Sequence, residues 1–264
     1  MNGLESQTLW HASAPLLAAM PRVGAAVTVA PLFPVSLFPT LLRGAVAVPL
    51  CLFLYPHLAA HMPPTLDPLI WVALVGKEAF IGALIGFAVG TLIWALESVG
   101  AMMDFQIGLS NAQFFDPFGG HDAGPLSAFM VRLGIILFVV GGGLQVFVSV
   151  LFESFRLWPL ASFYPALGER LAQFAGESVG SFVELVVRLA APAILLLALI
   201  DLGFGLVNRV VPQLNVFYFT MPIKATVAAL MIAIYLSYVA EVVTTQMNTL
   251  QHWVEHMQPI LSAH

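Results

Sequence analysis

The sequence predicts an all-α fold of membrane class, with kinked, proline-broken helices, and three observations carry the prediction. Of 264 residues, 60% are hydrophobic and only 9% are charged, whereas soluble domains run near a quarter charged; the mean hydropathy is +0.95. Apolar residues gather into six runs, at 12–30, 44–62, 69–98, 126–152, 180–207 and 216–240, each near the ~20 residues with which a helix crosses a bilayer. Proline punctuates them, in "APLFPVSLFP" (30–39), "HMPP" (61–64), "DPFGG" (116–120), "WPLASFYP" (158–165) and "VVPQLNVFYFTMP" (210–222), where it breaks or kinks helices. Backbone groups freed by such breaks cost several kcal/mol in hydrocarbon, so these stretches are expected against protein or a wet cavity.

The first run follows "MNGLESQTLWHASAPLLAAMPR", in which no basic region precedes the apolar residues and Glu5 does. A cleaved secretory signal is not expected there. The second run holds Cys51, the only cysteine, which excludes an internal disulfide and a thiolate metal cluster.

In the third run Gly82, Gly86 and Gly90 recur at every fourth position, leaving a bare strip of backbone that another helix can approach closely. Glu78 stands one turn before Gly82 on the same strip and is expected to act in helix packing and assembly, with Lys77 pointing elsewhere. The fourth run has no charge from Leu133 to Phe152 and carries three glycines, 141–143, that suit a hinge or a tight crossing.

Residues 153–179, with Glu153, Arg156, Glu169, Arg170 and Glu177, are expected to form the main solvated connection. In the fifth run Glu184 and Arg188 pair at i,i+4, Pro192 is expected to kink the helix, and Asp201 is buried among apolar residues. An acid in that setting is either a proton relay or, as favoured here, an assembly residue tied to a neighbouring subunit's cation or backbone. Pro212 to Pro222 should form a bent crossing in which Gln213 and Asn215 satisfy backbone groups that the prolines free. Residues 241–264 form a more polar C-terminal tail, whose composition is compatible with a continuing amphipathic helix. With no linker in the sequence, 1–264 is expected to be a single domain.

Nine basic against fourteen acidic residues, net −5, give no basic footprint for nucleic acid. Histidines pair at i,i+4 in "HLAAH" and "HWVEH", but zinc needs a third ligand, so no metal is expected. Nucleotide loops, nucleophile elbows and paired catalytic carboxylates are missing from the sequence. Neither enzymatic activity nor a cofactor is expected.

"DFQIGLSNAQFFDP" (104–117) and "VNRVVPQLNVFYFTMPIK" (207–224), with "GKEAFIGALIGF" (76–87) and "LGFGLVNR" (202–209) in order and spacing, resemble the signature segments of the bacterial type III secretion export-apparatus family of FliR and SctT. "GLSNAQFFDPFGGH" is closer in wording to the injectisome branch than to the flagellar one. The resemblance spans essentially the whole chain. It implies kinked helical hairpins and a non-enzymatic, single-copy subunit at the bacterial inner membrane, raised toward the periplasm once assembled. There it would join several copies of SctR and SctS in a helical export gate, contact the switch protein SctU and lipid, and pass unfolded protein substrates.

The resemblance also implies a role for the stretch 102–122, which suits neither water nor lipid. Within it, 106–122 would be a channel plug: Gln106 and Gly108 at its start, Phe114, Phe115 and Phe118 for apolar closure, Asp116 and Pro117 in a turn, and Gly119 for backbone rearrangement. The rival reading is a proton-coupled small-solute transporter, which Glu78 and Asp201 would serve, although neither clear repeats nor a midplane site can be recognised.

Overall fold

The computed structural model describes residues 3–33, 39–59, 68–108, 124–160, 168–213 and 215–261. Among these the fold is all helical: α1 (Gly3–Val29), α2 (Thr40–Ala59), α3 (Pro68–Ile107), α4 (Pro125–Val140), α5 (Gly143–Leu157), α6 (Gly168–Val210) and α7 (Val216–Leu261).

Six apolar runs thus become seven helices, because the fourth run divides. Gly142 adopts φ +84, a left-handed conformation that costs other L-residues roughly 1–2 kcal/mol. Gly141 closes α4 with a bond from its N–H to the Leu137 carbonyl, and the Gly142 carbonyl opens α5 by accepting from Gln145. Among the described residues three helices, within 69–107, 175–210 and 218–249, are long and apolar enough to cross a membrane, or four if the bent pair α4 and α5 counts as one. The apolar parts of α1 and α2 fall short of that length.

Two further expectations change. Residues 102–107 belong to α3 rather than to a loop, since Met103 and Ile107 continue the buried face of that helix. Most of the described part of 153–179 is helical, in α5 and α6. The polar tail, as its sequence allowed, continues as helix to Leu261.

The residues group into two compact units, which interleave along the chain. The first contains α1, α2, the N-terminal part of α3 and α5. Buried Ala14, Ala18, Arg22, Ala26 and Ala30 recur at i,i+4 on α1, and Ala47, Cys51, Leu54 and Leu58 form the corresponding stripe on α2. Small residues on α1 let α3 come close: a Cβ on Gly86 would lie 2.7 Å from the Ala26 carbonyl oxygen, and one on Gly82 would fall inside 3.0 Å of the Arg22 carbonyl. The glycine strip is therefore closed by α1 of the same chain. Gly90, on that strip, is buried as well.

The second unit contains the rest of α3, α4 and most of α6 and α7. Its core is built from Leu92, Leu96, Val99 and Met103 on α3, Met130 and Phe138 on α4, Leu189, Ala193 and Leu197 on α6, and Ala228, Ile232 and Val239 on α7. Burying a side chain of this size is worth about 1.5–3 kcal/mol.

Candidate functional site

Polar side chains of the second unit collect around the C-terminal end of α3. Gly108, at φ +92, ends the helix, its N–H donating to the carbonyls of Asp104 (3.2 Å) and Phe105 (3.0 Å) in the manner of a glycine C-terminal cap. Asp104 is buried, and its carboxylate accepts the backbone N–H groups of Leu126 (3.2 Å) and Ser127 (2.9 Å). These are orphan donors at the start of α4, where neither Gly124 nor Pro125 supplies a capping side chain. Asp104 thus caps a helix from another element, and its negative charge suits the positive end of that helix. Gly124 makes room for it, since a Cβ there would lie well inside 3.0 Å of the carboxylate.

One turn along, Asp201 on α6 forms an ion pair with Lys224 on α7. Both members also hold Gln106: its side-chain amide donates to Asp201 Oδ2 at 3.0 Å, and its backbone carbonyl accepts from Lys224 Nζ at 2.7 Å. The Lys224 side chain is 8% exposed and that of Asp201 40%. Asp201 borders a cleft of about 390 Å³, lined also by Phe105, Phe204, Asn208 and Thr220.

The first unit holds a second polar cluster. Glu78 is fully buried and takes a bidentate contact from Arg22, Nε to Oε2 at 2.6 Å and Nη2 to Oε1 at 3.0 Å. The remaining Arg22 donors reach the Ser154 carbonyl (2.7 Å), Ser154 Oγ (3.2 Å) and the Trp158 carbonyl (2.9 Å). All five N–H groups of the guanidinium are occupied, and its plane lies 4.0 Å from the centre of the Phe155 ring. Lys77 does not point away, as its sequence position suggested. Its Nζ reaches Glu78 Oε1 at 2.9 Å and the carbonyls of Pro159 and Leu160 at 3.2 Å each. The extra positive charge of this trio faces the C-terminal end of α5, where the free carbonyls carry partial negative charge.

The structure therefore brings Gln106, Gly108 and Asp201 together, and separately Glu78, Gly82 and Gly86. Asp201 finds a cation in Lys224 of its own chain. Both acids on which a transporter reading would rest are ion-paired. Pro212 and Gln213 form an exposed turn after α6, and Pro222 lies inside α7. Asn215 is exposed and opens α7 through its backbone carbonyl, which accepts from Tyr218 at 3.2 Å. Phe114, Phe115, Asp116, Pro117, Phe118 and Gly119 lie outside the described residues.

Arg22, Asp104 and Lys224 carry roles that the sequence did not assign. Their signal was a lone charge in an apolar run, a position that demands a partner without naming one.

Over residues 14–250 the chain matches the family described as bacterial export proteins, family 1. It is similar to Yop proteins translocation protein T of Yersinia pestis, 34% identical over 217 residues that cover 82% of this chain and 83% of that protein. Surface presentation of antigens protein SpaR of Salmonella typhimurium is 28% identical over 196 residues, covering 74% of this chain and 72% of SpaR. Flagellar biosynthetic protein FliR of Bacillus subtilis is 28% identical over 202 residues, covering 76% and 77% of the two chains.

Proposed function

Because the chain belongs to bacterial export proteins, family 1, the family of SpaR and FliR, and is a non-enzymatic component of a bacterial export apparatus, we propose that it is the single-copy subunit of a type III secretion export gate. In this reading it joins several copies of SctR and SctS at the bacterial inner membrane, contacts the switch protein SctU, and forms with them the entrance through which unfolded proteins leave the cell. The similarity to a protein named for Yop translocation favours a secretion system that delivers proteins over a flagellar one. Residues 106–122 serve as the plug of that entrance.

The observation that carries the proposal is the apolar surface of α6 and α7. Only 33% and 22% of their most apolar windows are buried within the chain. Exposed apolar side chains run along α6 from Val183 to Val210, which at ~1.5 Å per residue is about 40 Å, longer than the ~30 Å of hydrocarbon in a bilayer. Lipid alone cannot cover so long an apolar stripe, and partner subunits can.

Native mass spectrometry tests this. The tagged chain is co-expressed with the small membrane proteins encoded beside it and extracted in mild detergent. A complex with one copy of this chain and several copies of two others is expected. A monomer or small homo-oligomer, with those neighbours well expressed, would overturn the assembly.

A further inference from the structure

We propose that Asp201 and Lys224 are positioning residues that act as a two-point clasp on Gln106, so that the last turn of α3 stays wound only while α6 and α7 remain side by side. The inference goes beyond the export-gate reading, and its test reads the clasp directly, whether or not a gate assembles.

An ordinary ion pair between two helices would join α6 to α7 and nothing more. Here each partner spends a second hydrogen bond on the same residue of a third helix. Asp201 uses its other carboxylate oxygen for the Gln106 amide, and Lys224 donates to the Gln106 carbonyl. The Gln106 carbonyl belongs to the final turn of α3, where carbonyls lack helical partners and a cation is favoured. Gln106 is thus held by its side chain from α6 and by its backbone from α7. Separating the two helices removes one grip or the other.

Beyond Gln106 the described part of the helix ends within two residues, the buried Ile107 and then Gly108. Gly108 follows in the left-handed conformation, and the bonds from its N–H to the Asp104 and Phe105 carbonyls are the last of the helix. Asp104, by contrast, is engaged with the start of α4. The two ends are therefore fixed by separate devices, and one can loosen without the other.

Burial makes the clasp asymmetric. Both residues line the cleft, but the Asp201 side chain is 40% exposed and can be hydrated when it loses its partner, whereas that of Lys224 is only 8% exposed. Asp201→Asn strands a buried ammonium, and Lys224→Met leaves a carboxylate that water can reach, so Asp201→Asn is the more damaging change.

The test is amide hydrogen exchange by mass spectrometry on the full chain in detergent, comparing a peptide that covers 103–108 with one that covers 126–130. Asp201→Asn and Lys224→Met are expected to speed exchange in the first peptide by about ten-fold or more, the effect of losing a hydrogen bond to a charged group, and to leave the second within about two-fold. Gln106→Ala removes one grip only, keeps the ion pair, and should give a smaller rise in the same peptide.

The charge-swapped double variant, Asp201→Lys with Lys224→Asp, decides the point. It restores an ion pair between α6 and α7 but sets a carboxylate against the Gln106 carbonyl. Recovery of the thermal midpoint without recovery of slow exchange at 103–108 is expected. Recovery of both, or unchanged exchange in all the single variants, would reduce the pair to a staple between α6 and α7 and overturn the clasp.

Discussion

Glu78 sits between two cations, Arg22 and Lys77, and its side chain has no exposed surface. Arg22 is equally buried, with every donor matched. A buried pair of this kind contributes little over an apolar replacement of both members, yet removing one member costs about 3–5 kcal/mol because the other charge is left uncompensated. Glu78→Gln and Arg22→Met should therefore lower the thermal midpoint of the detergent-solubilised chain much more than Lys77→Met. The last change leaves the bidentate Arg22–Glu78 contact in place. Arg22→Lys should also fall well short of the wild type, since an ammonium cannot reproduce the planar fork that meets Glu78, Ser154 and Trp158 together. Equal losses for Lys77→Met and Glu78→Gln in a thermal melt would show that the trio acts as a diffuse charge cluster rather than as a bidentate pair with an auxiliary cation.

At the scale of elements, the close approach of α1 and α3 is what brings Arg22 to Glu78. Gly82 lies one turn after Glu78 and meets the Arg22 backbone itself. Gly82→Ala should destabilise the chain, because the backbone of α1 must withdraw, whereas Gly24→Ala on α1 meets nothing within 4 Å and should gain roughly 1 kcal/mol of helix propensity. Opposite signs in paired thermal melts are expected; the same sign for both would place the two helices farther apart than described.

The four-residue glycine spacing was legible in the sequence as a surface for close helix packing, and the six apolar runs as helices. Which helix closes on Gly82 was not, since Arg22 and Glu78 are 56 positions apart and no local pattern links them. The break at Gly141 and Gly142 was suggested by three consecutive glycines, but hydropathy is uniform there, so the fourth run looked like one span. Helices α3 and α7 outrun their apolar stretches because residues such as Gln106 and Gln246 keep helical geometry while leaving the apolar pattern.

For the molecule as a whole, the separate anchoring at 106–108 and at 124–127 bears on the stretch between them. Asp104 belongs to the end of α3, yet it contacts Gly124, Leu126 and Ser127. The end of α3 and the start of α4, which flank residues 109–123 in the sequence, thus lie side by side. The sequence marked this stretch through its mixture of aspartates, phenylalanines and glycines, but not its anchors, because Asp104 and Lys224 act across helices far apart in the chain. Because Asp104 already joins α3 to α4, removing the stretch between them need not pull the two helices apart. Deleting 109–122 spares Gln106, Gly108 and Gly124, and with them the Asp104 cap and the Asp201–Lys224 pair. If the stretch plugs the export entrance, the assembled complex carrying the deletion should retain its composition by native mass spectrometry and conduct small ions when reconstituted in planar bilayers, where the intact complex stays closed. The loss would be one of closure alone, as expected for an apolar constriction that excludes water and ions. Unchanged conductance in a complex of unchanged composition would remove the plug assignment while leaving the export-gate reading intact.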